Sequence, residues 1–391
     1  MTSASQILLR GITWNHTRGY LPMVATAQRF SELHPEVAIQ WQVRSLQAFA
    51  DEPLAELAQS FDLLVIDHPS IGFAAEAGLL VALDDHLPTG FLADQAQNSA
   101  GGSHASYKWK AHQWALAIDA ATPVSGWRAD LLARANAEVP ETWEQLLALA
   151  RRGLVAVPGL AIDSLMNVYM LAVALGEEPF LEPSQFISEA TGLEALRMLR
   201  SLVSACHPSC LARNPIAIWE ELANGDRIAY CPFAYGYSNY SRSGYAKHPL
   251  AVGGLVSVNH GRRLRSTMGG AGLAVSRSTA YLDLAVQYAE FTASSAIQST
   301  LYFDAGGQPG HRSAWTSDEV NRRSNQFFSS TLSTLDAAYV RPRFPGYLDF
   351  QDSAAPVVHA YLTAGGDERA VIRKLNFLLA QLTTGQKVVI D

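Results

Sequence analysis

The sequence predicts an α/β fold divided into two domains, and three observations carry that reading. The first ~120 residues alternate strand-like and helix-like segments. The chain, at 391 residues, is too long for one simple core. Far along it, GGAGLAVS at 269–276 returns to strand after a long middle section rich in helical patterns.

In order, ILLRGITW reads as a strand. LPMVATAQRFSELHP reads as a helix with Pro22 near its first turn, where a missing N–H is tolerated. VAIQWQV alternates, placing Val37, Ile39, Trp41 and Val43 on one face. PLAELAQS is a short helix, and FDLLVIDH is a continuous apolar run, the pattern of a parallel strand covered on both faces. IGFAAEAGLL is a helix and its exit. Such alternation argues right-handed strand–helix–strand crossovers.

HQWALAID (112–119) reads as another strand, and AATPVSGW runs on to a further one before RADLLARA. PETWEQLLALA starts a helix with Thr142 and Gln145 spaced as a capping box and Trp143 packed beneath. VAVPG is a short strand, and IDSLMNVYMLAVALG a largely apolar helix with Asp163 or Ser164 at its start. GLEALRMLRSLVSA is amphipathic, and WEELANGDRIAYCPF is a helix, a stop at Gly225 and a strand. The tyrosine-rich FAYGYSNYSRSGY follows as a loop. Beyond GGAGLAVS come a helix, AYLDLAVQYAEFTAS, a turn-rich loop, GGQPGHRSAW, and a helical tail interrupted by VRPRFPGY.

Composition narrows the function. A hydrophobic content of 48% with 17% charged residues is ordinary for a globular protein in water. A net charge of −7 argues against nucleic acid, whose phosphates call for an excess of Lys and Arg. No apolar run reaches the ~18 residues of a membrane-spanning helix. The opening MTSASQ lacks the basic and apolar regions of a secretory leader, so the expectation is a leaderless protein or a mature chain with a new Met1. Cys206, Cys210 and Cys231 form no even disulfide framework. CHPSC lacks the four ligands of a structural zinc site, so buried thiols are expected, with a Cys206–Cys210 disulfide as the alternative. There is no G-x-S-x-G, no H-E-x-x-H, no phosphate loop and no C-x-x-C. The glycines of GGAGLAVS precede a strand instead of linking strand to helix, which excludes a dinucleotide fingerprint.

Polar residues gather where open α/β sheets bind ligands, outside the carboxyl ends of strands. Asp67 and His68 end one strand, and Asn15 and His16 end the first. Two such ends suggest one shared cleft.

The chain resembles the extracellular solute-binding proteins of ABC importers, most closely the family 1 group that includes the maltose-binding type. The resemblance runs over nearly the whole chain through ordered signals: the opening ITW, QRFSELHPEVAIQW, FDLLVIDHPSIGFAAEAGLLVALDD, VPETWEQLLALA and SAIQSTLYFDAGGQPGHRSAW. In GDRIAYCP, Ile228 and Tyr230 replace the family's small residues.

The resemblance implies a periplasmic-binding-protein type II fold, two α/β lobes with a ligand cleft between them. One lobe would be 1–118 plus 270–315 and the other 119–269 plus 316–391. It implies capture of a small polar solute (sugar, polyol or glycoside) by a monomer that passes it to an ABC permease outside the cytoplasm, with no cofactor, metal or catalysis. A leaderless cytoplasmic sensor or scavenger on the same fold, or an enzyme using the cleft, are the alternatives; a native start at Met1 would favour the cytoplasm. By resemblance, Asp119 matches a ligand-binding acid, and Asn15, His16, Asp67, His68 and Ser70 sit in ligand-contacting loops. Asp163 and Ser164 open a helix whose N–H groups can face a ligand, or simply cap it. Phe233, Tyr235 and Tyr237 are candidates for an aromatic platform. Gly270, at the second crossing point, and Arg341, in reach of an acidic ligand or a structural ion pair, complete the candidates.

Overall fold

β-Branched and other apolar runs become the strands, in chain order β1 (Ile7–Trp14), β2 (Val37–Arg44), β3 (Leu63–Ile66), β4 (Leu116–Ala121), β5 (Pro123–Trp127), β6 (Tyr230–Tyr235), β7 (Ala251–Gly253) and β8 (Gly269–Val275). The structure is a computed structural model and describes residues 6–51, 53–258 and 261–383. The start MTSAS, on which the reading of a leader rests, lies outside the described residues.

The chain divides into two units. Unit one is Met1–Ala121 with Gly269–Arg322, and unit two is Thr122–Met268 with Arg323–Asp391.

Unit one is built on a five-stranded sheet in the order β2-β1-β3-β8-β4. β1 pairs in parallel with β2 and β3, whereas β8 runs antiparallel to both β3 and β4. All four residues of β3 are buried, as a strand covered on both faces requires. Leu9, Trp41, Leu63, Val65, Leu116 and Leu273 belong to one core cluster, closed by Phe30 and Tyr288 from the helices Thr17–Leu33 and Leu282–Ala293. Phe30 and Tyr288 meet edge to face at 5.4 Å, and the Tyr288 hydroxyl lies 2.9 Å from Thr26 Oγ1.

Unit two has a small antiparallel sheet, β6-β5-β7, and a thick helical layer. Tyr169, Phe180, Phe186, Tyr347 and Phe350 pack as an aromatic core, with Phe180 touching each of the others at 5.3–5.7 Å between centroids. Such pairs add to the area they bury.

Several elements differ from the sequence reading. The first helix starts at Thr17, so Pro22 lies in its second turn, not its first. His16 supplies the cap that lets it begin early: its Nδ1 accepts from the Arg18 N–H at 3.0 Å. HQWALAID splits into a two-residue hairpin arm, His112–Gln113, and β4. VAVPG is only a bridge from Val155 to Tyr230 at the start of β6, where the Ala156 N–H donates to the Tyr230 carbonyl at 3.1 Å. The long helix begins at Ala161, which puts Asp163 and Ser164 inside the first turn. All three cysteines are free, buried thiols.

The capping box forms as read. Thr142 Oγ1 accepts from the Gln145 N–H at 3.3 Å and Gln145 Oε1 accepts from the Thr142 N–H at 3.2 Å. Trp143 is buried beneath it. Thr142→Ala should therefore lower stability by about 1 kcal/mol. Urea unfolding should show a lower midpoint at unchanged slope.

Candidate functional site

The sheet order of unit one positions a site. The chain steps from β1 outward to β2, then back across β1 to β3, so β1 and β3 are neighbours whose connections leave in opposite directions. A crevice opens at such a switch point, outside the carboxyl ends of the strands. Asn15 and His16 follow β1 there, and Asp67 and His68 follow β3.

The two ends are held differently. Asn15 is exposed, its backbone N–H fixed to the Arg44 carbonyl at 2.7 Å. His16 is partly buried, and burial, aided by Arg18, lowers its pKa to about 4. The ring is neutral near pH 7, and because Nδ1 accepts from the backbone, its proton sits on Nε2. Asp67 caps a single 3-10 turn by accepting the His68 N–H at 2.9 Å, and its Oδ1 also lies 3.2 Å from His68 Nδ1. The sequence reading makes His68 a ligand-contacting loop residue at a strand end. In the structure its ring is wholly buried, edge-on to Tyr107 at 6.3 Å. Asp67 keeps about a third of its side-chain surface (32%), and Ser70 bonds back to the Asp67 carbonyl at 2.7 Å.

Asp119 lies near the carboxyl end of β4, buried. Arg18, from the first turn of the first helix, reaches it with two donors: Nε to Oδ2 at 2.8 Å, and Nη2 to Oδ1. Burial pushes the Asp119 carboxyl up, and the guanidinium pulls against it. Composition and spacing gave no sign of Arg18; the signal available was a lone cation at a strand–helix junction. Gly270 faces the same strand, with φ +116° and no room for a Cβ, which would stand 2.3 Å from the Asp119 carbonyl oxygen.

GGQPG, read only as turns, is a clamp on β4. The Ala120 N–H donates to Gln308 O at 3.0 Å, and Gln308 Nε2 returns a bond to Ala120 O at 2.8 Å. A Cβ on Gly310 would meet Ala117 O at 2.1 Å.

In unit two, Tyr235 at the end of β6 is half-buried, its hydroxyl 3.0 Å from Thr267 Oγ1. Phe233 and Tyr237 are buried. Arg341 is also buried, donating to Gln351 Oε1 at 3.3 Å. Ser164 spends its hydroxyl on the Gly159 carbonyl at 3.0 Å. Asp163, 7% exposed, is pushed by burial up to about 8.

One group among the described residues has metal-like proximity, Asp84, Asp85 and His112. Asp84 is already committed there to the Gln113 N–H (2.8 Å) and His112 Nδ1 (3.0 Å), which fasten the small hairpin.

A two-unit α/β chain with a split first unit and a switch-point crevice defines a class, the type II periplasmic binding proteins. Residues 25–327 match the family described as bacterial extracellular solute-binding protein, and the chain belongs to that family. Among solved structures it is similar to maltose-bound MalE3 of T. maritima, with a TM-score of 0.82 and 16% identity over 96% of this chain and 100% of that one. A ribitol-bound ABC transporter solute-binding protein from Agrobacterium radiobacter K84 gives 0.80 and 18%, over 96% and 98%. The GacH receptor of Streptomyces glaucescens GLA.O, solved with and without acarbose, gives 0.80 and 15%, over 98% and 100%. No curated protein matches the chain in sequence. No helix among the described residues is long and apolar enough to cross a membrane.

Two predictions follow from the acids. Arg18→Met leaves Asp119 buried without its partner and should cost about 3–5 kcal/mol, read as a fall in thermal midpoint, whereas Arg18→Met with Asp119→Leu should recover much of it. Asp163 has a folded pKa raised above its unfolded value, so between about pH 4 and 8 the folded state binds the extra proton and stability falls as pH rises. Asp163→Asn should flatten that decline, seen by comparing urea midpoints of the two proteins at pH 5 and pH 8.

Proposed function

We propose that this chain captures a polyhydroxylated solute (a sugar, polyol or glycoside) outside the cytoplasm, as a monomer, and hands it to an ABC permease. The observation that carries the reading is the switch point of unit one, where His16 and Asp67 sit at adjacent strand ends. A neutral imidazole with its proton on Nε2 and a carboxylate that keeps about a third of its side-chain surface (32%) are groups that vicinal hydroxyls can pair with when they leave water. Maltose, ribitol and acarbose, the ligands of the three similar structures, are all solutes of this kind.

Asn15, His16, Asp67 and Ser70 are the proposed polar contacts in unit one, with His68 and Asp119 beneath them as buried supports. In unit two, Tyr235 offers the aromatic face. Capture needs no covalent chemistry: contacts made only in the bound conformation shift the population toward it. Purified protein should therefore return its solute unaltered.

A thermal-shift screen over sugars, polyols and small acids tests the reading. A binder at ~100 times its dissociation constant should stabilise the protein by about 2.7 kcal/mol. Asp67→Ala should then weaken that binder by about 1–3 kcal/mol. Unchanged affinity with a large loss of stability would assign Asp67 to the fold alone.

A further inference from the structure

One buried acid of unit two, Asp163, has a carboxyl oxygen with no hydrogen-bond partner among the described residues. Asp163 stands in the first turn of the 15-residue helix Ala161–Leu175. Its neighbours at that turn are committed to backbone. Ser164 Oγ donates to Gly159 O at 3.0 Å, Asn167 Nδ2 donates to Pro158 O at 3.2 Å, and a ring nitrogen of His359 lies 2.9 Å from Gly159 O. The turn is closely packed, since a Cβ on Gly159 would stand 2.8 Å from Cys210 O. Asp163, more than nine-tenths buried, has an Oδ2 that accepts no hydrogen bond.

A buried carboxyl with no partner is a cost that the fold does not recover. Asp119 shows how this protein handles a buried acid when structure is the purpose, by giving it a guanidinium. Among the described residues no basic side chain does this for Asp163, whose titration is shifted by burial. The helix start adds partial positive charge from its free N–H groups, yet these cannot supply a full countercharge. What is missing at Oδ2 is a cation, and the solute is the component able to bring it.

We propose that Asp163 is the counter-ion for an ammonium group on the solute, so that the solute class is amino sugars and amino polyols. The proposal rests on the solute-capture reading above. An ammonium N–H of the solute donates to Oδ2. Near pH 7 the empty protein holds a proton on Asp163, because burial pushes it up to about 8. Pairing with a protonated amine releases that proton to the buffer, one for each solute bound.

Calorimetry on the full chain at pH 7 tests this with D-glucosamine, D-mannosamine and 1-amino-1-deoxy-D-sorbitol, each against its hydroxyl counterpart, D-glucose, D-mannose and D-sorbitol. At least one amine should bind about tenfold or more tightly than its counterpart, which is about 1.4 kcal/mol. Its binding enthalpy should vary with the ionisation enthalpy of the buffer, reporting the released proton. In Asp163→Asn the amine-to-hydroxyl ratio should fall to about one and the buffer dependence should vanish, with urea unfolding confirming that the variant is folded. Equal affinity within every pair, a preference that survives in Asp163→Asn, or a neutral binder from the wider screen with no amine bound overturns the amine proposal and leaves solute capture standing. No binder in either experiment overturns solute capture itself.

Discussion

Unit one depends on a single strand that arrives late. β8 lies between β3 and β4, antiparallel to both, and without it β4 has no neighbour in the sheet. All of Thr122–Met268 separates β4 from β8 in sequence, so the first unit cannot close its sheet until that stretch of unit two has been made. Pairing of this kind carries a large loop-closure cost before it returns any contact, which slows folding. It also demands a close fit. Gly270 takes a positive φ against the Asp119 carbonyl, the register shifts between Ala271 and Gly272, and a Cβ on Gly272 would enter the Tyr107 ring at 2.6 Å.

That fit bears on the electrostatics. Asp119 sits on β4 opposite Ala271, held by β8 on one side and bridged to Pro309 of the glycine-rich clamp. Arg18 meets it with two bonds from the first turn of the first helix, a turn begun early because His16 caps it. The start of the helix, the end of β4 and the clamp loop are thus tied through one buried pair. Such a pair contributes little net stability against an apolar replacement, but it penalises any arrangement that separates the partners. Asp163 differs in kind: also buried, it receives no such partner among the described residues.

The likeness to solved binding proteins is almost complete in length and small in identity, 15–18% for the three compared. Backbone pairing and core volume tolerate that divergence, because many apolar sets fill the same space. Solute contacts do not tolerate it in the same way, since each hydroxyl or charge needs its own partner. The fold therefore carries the family, and this chain's own side chains must carry the solute.

The sequence by itself determined the elements whose signals are local. The apolar run of β3, the alternation of β2, the capping box at Thr142 and the stop at Gly225 all depend on residues within a few positions of one another. It also placed Asn15, His16, Asp67 and His68 at strand ends, because a strand's end follows from its own pattern. Tertiary structure alone decided which strand ends are neighbours, since the order β2-β1-β3-β8-β4 joins segments far apart in the chain. It decided that Arg18 reaches Asp119, 101 positions away, that His68 is buried and Asn15 exposed, and that Asp163 has no counter-ion among the described residues. Burial and charge pairing are properties of what surrounds a side chain in space, and the local pattern around a residue does not contain them.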